Sequence, residues 1–372
     1  MENLVNAEKI ILKVCKEFAL RGEFRKFEVI NSGHINNTYR VYYFRDGELK
    51  DYIVQRVNTY VFTKPVEVME NIAAVTEYIR GKIKAQGRSS KRYVLHYQKT
   101  AEGKYYVDLG EEGFWRCCRF INNSTSFLKP ENNQIIESSG KAFGEFQRYL
   151  SDYPVEKLHI VIPHFHNTVM RYEVFREAIE KDEAGRKESV LKEIEGYFSF
   201  EEIATRAYKM QKAGELPLRV THNDTKSSNV LFDETTGEHL SVIDLDTVMP
   251  GLVAFDFGDA IRIVGSTGEE DERDLDKVAI DLEKYESFAK GFVEEVGEML
   301  TPAEIKTLAL GAITMTVECG MRFLTDYLNG DKYFKIHYPE QNLVRARCHL
   351  VLAADMIKNQ AVMQQIVEKY VK

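Results

Sequence analysis

The stretch from Val220 to Asp246 leaves the chain few choices. His222, Asp224 and Asn229 are followed at once by the apolar run 230–232, a polar turn holding Gly237, a second apolar run at 240–243, and then Asp244. Two short apolar runs around a glycine-containing turn predict a β-hairpin. A hairpin returns the chain to the end where it began, so Asp244 is expected beside Asn229, close to Asp224. An ordinary hairpin with surface aspartates is the plainer alternative. The joint spacing H-x-D-x-x-x-x-N with a later aspartate weighs against it.

Phosphoryl transfer needs that set of groups: a carboxylate to position the acceptor hydroxyl, and oxygen ligands to hold Mg²⁺ on nucleotide phosphates. Asp224 suits the first role. Asn229 and Asp244 suit the second, because Mg²⁺ takes carboxylate, amide, water and phosphate oxygens in near-octahedral geometry. The tripeptide Asp256-Phe257-Gly258 looks like a rival metal motif, but it lies beyond the hairpin that delivers the ligand. Asp256 is read as structural, tying the following loop back to the catalytic segment; metal binding by Asp256 is the alternative.

Charge and composition remove other classes. The 372 residues carry a net charge of −8 with both signs mixed throughout, and no basic block argues for nucleic acid. The opening residues lack the charged and apolar regions of a secretory leader, so none is expected. No apolar run reaches the ~18 residues of a membrane helix, and no membrane association is expected. Cys15, Cys117, Cys118, Cys319 and Cys348 are scattered without a C-x-x-C pair, which fits buried thiols in a reducing cytoplasm.

The chain divides by pattern. Helical spacing at 6–20 precedes strand-like runs at 27–30, 38–44 and 51–57, the last two joined by an Asp46-Gly47 turn. A helix with Pro65 near its start and helix formers to about Arg80 follows, then strand signal at 92–99, 104–109 and 115–121. Residues 132–150, 169–187, 190–212, 270–298, 301–328 and 339–370 read as helices. The expectation is a bilobal α+β protein of the protein-kinase-like kind. Its β-rich N-terminal lobe (1–121) would bind nucleotide, and its mainly helical C-terminal lobe (122–372) would hold the catalytic and acceptor residues.

On the nucleotide side, the loop Ser32-Gly33-His34-Ile35-Asn36-Asn37-Thr38 is placed to cover ATP phosphates. Backbone N–H groups and the small polar side chains of Ser32, Gly33, His34 and Asn37 would contact them, although one glycine alone is also compatible with a plain turn. The third strand carries Arg56 as candidate phosphate clamp, since Arg grips phosphate oxygens in a bidentate way. A helix carboxylate, Glu70 in preference to Glu67, would hold Arg56; a merely exposed Arg56 is the alternative.

These residues resemble a known group. His222-Asn-Asp-Thr-Lys-Ser-Ser-Asn229 and Ile243-Asp-Leu-Asp246 resemble the catalytic and metal-binding segments of the aminoglycoside phosphotransferase and choline kinase superfamily. Within it the chain is most similar to the N-acetylhexosamine 1-kinase family, on the strength of Ser32–Tyr39, Val54–Asn58, Phe143–Gln147, Phe165–Thr168, Thr221–Asp259 and Met321–Phe334. That resemblance implies ATP- and Mg²⁺-dependent phosphorylation of the anomeric hydroxyl of N-acetylglucosamine or N-acetylgalactosamine. It makes Asp224 the catalytic base in contact with the sugar, Asn229 and Asp244 the Mg²⁺ ligands, and Arg322 and Tyr333 substrate-binding residues. Asn223 departs from the superfamily, where glycine is usual, and Gln55-Arg56 stands where a strand lysine is common. Aminoglycosides, choline, methylthioribose and homoserine are the rival acceptors, and a nucleotide-binding protein without turnover is the rival class. Arg322 argues against a cationic acceptor. No activation loop fits between Asp244 and Phe255, which argues against a protein kinase.

Overall fold

A computed structural model describes residues 2–30 and 35–371. The elements in chain order begin with α1 (Glu2–Glu17), β1 (Glu23–Ile30), β2 (Asn37–Arg45), β3 (Glu48–Val57), α2 (Pro65–Ala85), β4 (Val107–Asp108) and β5 (Phe114–Arg119). β6 (Ser124–Thr125), α3 (Asn133–Tyr149), α4 (Thr168–Lys181), α5 (Leu191–Ser199), α6 (Glu201–Lys212) and β7 (Arg219–Thr221) follow. The chain continues with β8 (Val230–Asp233), β9 (His239–Val242), β10 (Met249–Gly251), α7 (Val253–Val264), α8 (Leu282–Val296), α9 (Pro302–Leu328) and α10 (Gln341–Lys369). The fold is the expected mixed α+β type: a β-sheet N-terminal region and a helical C-terminal region.

The N-terminal sheet has the order β1-β2-β3-β5-β4 and is antiparallel throughout. Asp46 and Gly47, with φ of 53° and 82°, make the tight turn between β2 and β3 that Asp-Gly predicts. Side chains alternate across the sheet. Val41, Tyr43, Tyr52, Val54, Trp115 and Cys117 pack under α1 on one face. On the other face Val57, Phe114 and Cys118 pack with α2 and continue into residues 220, 240, 245, 248 and 249. Everything that faces the C-terminal region therefore comes from the second set of alternating positions.

Several predicted elements change on inspection. The runs 92–99 and 104–109 yield only an isolated bridge, Tyr97 to Cys118, and the two-residue β4. The predicted helix 190–212 breaks at Phe200 into α5 and α6. That at 270–298 begins only at Leu282, where Asp281 caps it by accepting from the amides of Glu283 and Lys284. The loop expected around Asp256 is α7, in which ten of twelve residues are buried. Its buried Asp256, Gly258 and Asp259 mimic loop composition within an otherwise apolar segment.

α9 runs through the centre of the helical region. Thr301 and Glu304 form a reciprocal capping box at its start. Contrary to the sequence expectation, α9 is long and apolar enough to cross a membrane, with mean hydropathy 1.2 over its best window, but 89% of that window is buried inside the protein. It is a core helix. α7 crosses it at backbone contact: a Cβ on Gly311 would sit 1.9 Å from the Ala254 carbonyl oxygen, and one on Gly258 would sit 2.2 Å from that of Gly311.

Neither backbone can retreat without opening the core. Gly311→Ala is therefore expected to cost about 1–3 kcal/mol or more through overpacking. Thermal melting should show a lowered midpoint for Gly311→Ala, against an equal or higher one for alanine at the open, exposed position Gly81 within α2.

Candidate active site

The catalytic segment hangs from the start of α7. The buried carboxylate of Asp256 accepts the backbone N–H of His222 (2.8 Å) and of Asn223 (2.7 Å), and the side-chain amide of Gln147 (2.6 Å). The hydroxyl of Thr225 donates to the Asp256 carbonyl at 2.5 Å, and the amide of Thr225 donates to Asp259 at 3.1 Å. Three donors satisfy the Asp256 carboxyl, yet burial still raises its pKa. Asp256 thus holds backbone, as the sequence reading expects, and it does so from a helix rather than a loop.

His222 braces the same segment from inside. Its Nε2 donates to the Ile243 carbonyl at 2.9 Å, and its Nδ1 accepts the Asp224 amide at 3.2 Å. A carbonyl only accepts and an amide only donates, so the ring is the neutral Nε2–H tautomer. Asn223 adopts φ of 63°, a conformation asparagine tolerates better than most residues, which explains how it stands where glycine is usual. Its side-chain amide donates to the Thr247 carbonyl at 2.9 Å, tying this segment to the one after Asp244.

The hairpin delivers the remaining groups. Val230 pairs with Val242 in the β8–β9 ladder, and the Ile243 amide donates to the Asn229 carbonyl at 2.8 Å. Asn229 and Asp244 are therefore juxtaposed. The amide nitrogen of Asn229 donates to the Asp224 carbonyl (2.8 Å) and to Asp224 Oδ2 (3.0 Å). That commits its nitrogen and makes its oxygen the atom available to a cation. Asp244 has a left-handed backbone, φ of 60°, at the end of the hairpin. It opens to solvent while protein surrounds its flanks. Burial, with the charges of Asp246 and Asp224 beside it, pushes its pKa up to about 6.

Lys226 completes the cluster. Its ammonium donates to Asp224 Oδ2 at 2.8 Å. Burial alone would lower its pKa; the charges of Asp224, Asp244 and Asp259 outweigh that and raise it. The spacing analysis does not single out Lys226; the available signal was its place two residues after Asp224 on the exposed side of the same turn. Asn229 and Asp244 supply hard oxygen donors and excess negative charge, which suits Mg²⁺, a cation that fills its shell with water and phosphate.

On the sheet side the geometry departs from expectation. Arg56 pairs in register with Trp115, which places it on the face packed under α1. Its Nη2 donates to the Glu111 carbonyl at 3.2 Å. The expected Arg56–Glu70 ion pair is not formed: Glu70 pairs with His159 at 2.7 Å and Glu67 with Lys64 at 3.0 Å. Period-two alternation is the reason, since it turns Gln55, not Arg56, toward the C-terminal region. Asn37 pairs with Arg56 in register, and both line a cavity of about 520 Å³ at the ends of β2, β3 and β5. Ser32, Gly33 and His34 lie outside the described residues.

The other sequence candidates meet beyond α9. The Arg322 guanidinium lies 5.9 Å from the Tyr333 ring and 5.4 Å from the Phe334 ring. Asp326 shapes the loop that presents Tyr333 by accepting from the amides of Lys332 (3.0 Å), Tyr333 (2.8 Å) and Phe334 (2.9 Å). Nearby, buried Glu318 accepts from Thr168 at 2.6 Å and pairs with His166 at 3.0 Å. Burial and the charge of Arg322 lower the pKa of Arg171, so this corner is rich in cationic donors.

Residues 26–290 match the phosphotransferase enzyme family. Among solved structures, an aminoglycoside phosphotransferase from Alicyclobacillus acidocaldarius is similar with a TM-score of 0.60 at 12% identity, over 96% of each chain. A choline/ethanolamine kinase family protein from Mesorhizobium loti matches with a TM-score of 0.55 at 14% identity, over 96% of this chain and 99% of that one. A spectinomycin phosphotransferase solved with ADP and spectinomycin matches with a TM-score of 0.52 at 14% identity, over 90% of this chain and 94% of the other. At these identities the likeness establishes the fold. With the family match covering well over half of its length, the chain belongs to the phosphotransferase enzyme family.

Proposed function

We propose that the protein is an ATP- and Mg²⁺-dependent small-molecule kinase that phosphorylates the anomeric hydroxyl of an N-acetylhexosamine. The observation that carries the kinase reading is the cluster of Asp224, Lys226, Asn229 and Asp244 on one turn and one hairpin end. ATP use is supported by the ADP found in the spectinomycin phosphotransferase of like fold. On this reading residues 1–121 form the nucleotide side and 122–372 the catalytic and acceptor side.

Asn229 and Asp244 would hold Mg²⁺, which when bound neutralises phosphate charge. Asp224 accepts a hydrogen bond from the acceptor hydroxyl and aims its oxygen at phosphorus. Lys226 holds the Asp224 carboxylate in place at 2.8 Å and offers positive charge where the transferred group gathers negative charge. Little covalent chemistry is left for the protein, so positioning and electrostatics carry the rate.

The acceptor assignment rests on chemistry at Arg322 and Tyr333. Guanidinium groups recognise oxygen pairs, and an aromatic face with Tyr333 73% exposed suits the C–H face of a sugar. A quaternary or primary ammonium acceptor would meet Arg171 and Arg322, which disfavours choline-like and aminoglycoside substrates.

The test is ³¹P NMR with Mg·ATP and a pool of N-acetylglucosamine, N-acetylgalactosamine and N-acetylmannosamine. A new phosphomonoester coupled to an anomeric proton is expected; ADP formation without it moves the acceptor to another hydroxyl compound. Asp224→Asn is expected to abolish turnover while leaving nucleotide affinity intact, and normal turnover would remove Asp224 from the mechanism. Lys226→Met should lower kcat by about 10²-fold or more, on the scale of losing one preorganised charge contact. Arg56→Ala, by contrast, should leave the KM for ATP close to the wild-type value, because its guanidinium donates to the Glu111 carbonyl and register turns it away from Asp224 and Asp244.

A further inference from the structure

One buried ion pair is not used by the mechanism above. Arg116, on β5, has a side chain only 2% exposed, and its Nη1 pairs with Asp246, whose side chain is 4% exposed. The Nε of Arg116 donates to Gln55 Oε1 at 2.9 Å, and the Gln55 amide donates to the Thr38 hydroxyl at 3.0 Å. A buried ion pair is weak evidence of stability, since an apolar pair of the same volume serves as well or better. Its use has to be sought in what it specifies.

The second oxygen of Asp246 supplies the clue. It accepts the side-chain amide of Asn36 at 2.7 Å, across a sequence separation of 210 residues. The oxygen of Asn36 in turn accepts the Asn58 amide at 2.9 Å. Asn36 stands immediately before β2 and Asn58 immediately after β3, so both strand ends are tied to one carboxylate. That carboxylate lies two residues after Asp244, in the tight turn at Leu245–Thr247. β3 presents the neutral Gln55 to this side, and β5 supplies the cation instead.

We propose that Arg116, Asp246 and Asn36 are positioning residues for the nucleotide: Arg116 orients Asp246, and Asp246 holds the β2–β3 end of the sheet at a set distance from Asp244. The inference rests on the kinase reading, in which nucleotide phosphates lie between those two elements. Asn36 is the member best suited to test, because it is half-buried and makes no contact with the cores. The buried Arg116 is not, because its removal strands Asp246 unpaired.

The experiment is calorimetric titration of the full chain and its variants with Mg·ADP, which needs no acceptor. Asn36→Ala is expected to weaken binding about tenfold, the weight of one hydrogen bond to a charged group. Its melting midpoint should fall only slightly, with the chain still fully folded at the assay temperature, and its KM for the acceptor at saturating ATP should be unchanged. Asn36→Asp should weaken binding further by facing Asp246 with a like charge. Wild-type affinity in Asn36→Ala, or an Asn36→Asp variant that binds as well as the wild type, overturns the proposal while leaving the kinase reading in place. Failure of the wild-type chain to bind Mg·ADP overturns both.

Discussion

The carboxylate of Asp256 is the point on which the site depends. One side chain, buried in the first turn of α7, fixes two successive backbone amides of the catalytic segment and the side chain of Gln147. Burying a carboxylate is costly unless its lone pairs are filled. Here they are filled by groups that have no other partner in the interior, so the turn holding Asp224 can adopt one geometry. The αL backbone at Asn223 and the neutral tautomer of His222 follow from that constraint.

The rigidity extends outward through α7 and α9. Their backbone contact at Gly258 and Gly311 leaves no slack between the helix that anchors the catalytic segment and the helix that carries Arg322. The corner of Arg322 and Tyr333 and the cluster around Asp224 are thereby mounted on one packed unit. The sheet approaches this unit from the other side, meeting it at Asp246 through Arg116 and Asn36. That charged contact sits at the edge of the apolar cluster, with Leu245 and Val248, that joins the sheet to the C-terminal region.

Much of this was legible in the chain before folding was considered. The Asp-Gly turn, the hairpin after Asn229 and the long C-terminal helices follow local rules of spacing, so their positions agree within a few residues. The juxtaposition of Asp224, Asn229 and Asp244 follows from the hairpin alone. The failures share a cause as well. α7 carries Asp256, Gly258 and Asp259 among its buried residues, a loop-like composition, and residues 92–99 have strand composition but form one bridge among the described residues. Residue type and strand position point to Arg56, whereas its direction depends on register with Trp115. The spacing of Asp224, Asn229 and Asp244 says nothing of Lys226, and only the fold places three carboxylates around it.

The sequence by itself determined which groups stand at the hairpin end, because covalent spacing and strand alternation are short-range constraints that later packing cannot alter. Only the tertiary structure decided which cation the sheet turns toward the site. Arg56 and Arg116 lie on neighbouring strands with similar composition. Pairing register leaves one exposed at the cavity by the strand ends and turns the other inward against Asp246. Register across strands distant in the chain is set by burying one face of the sheet as a whole, and no local segment contains that information.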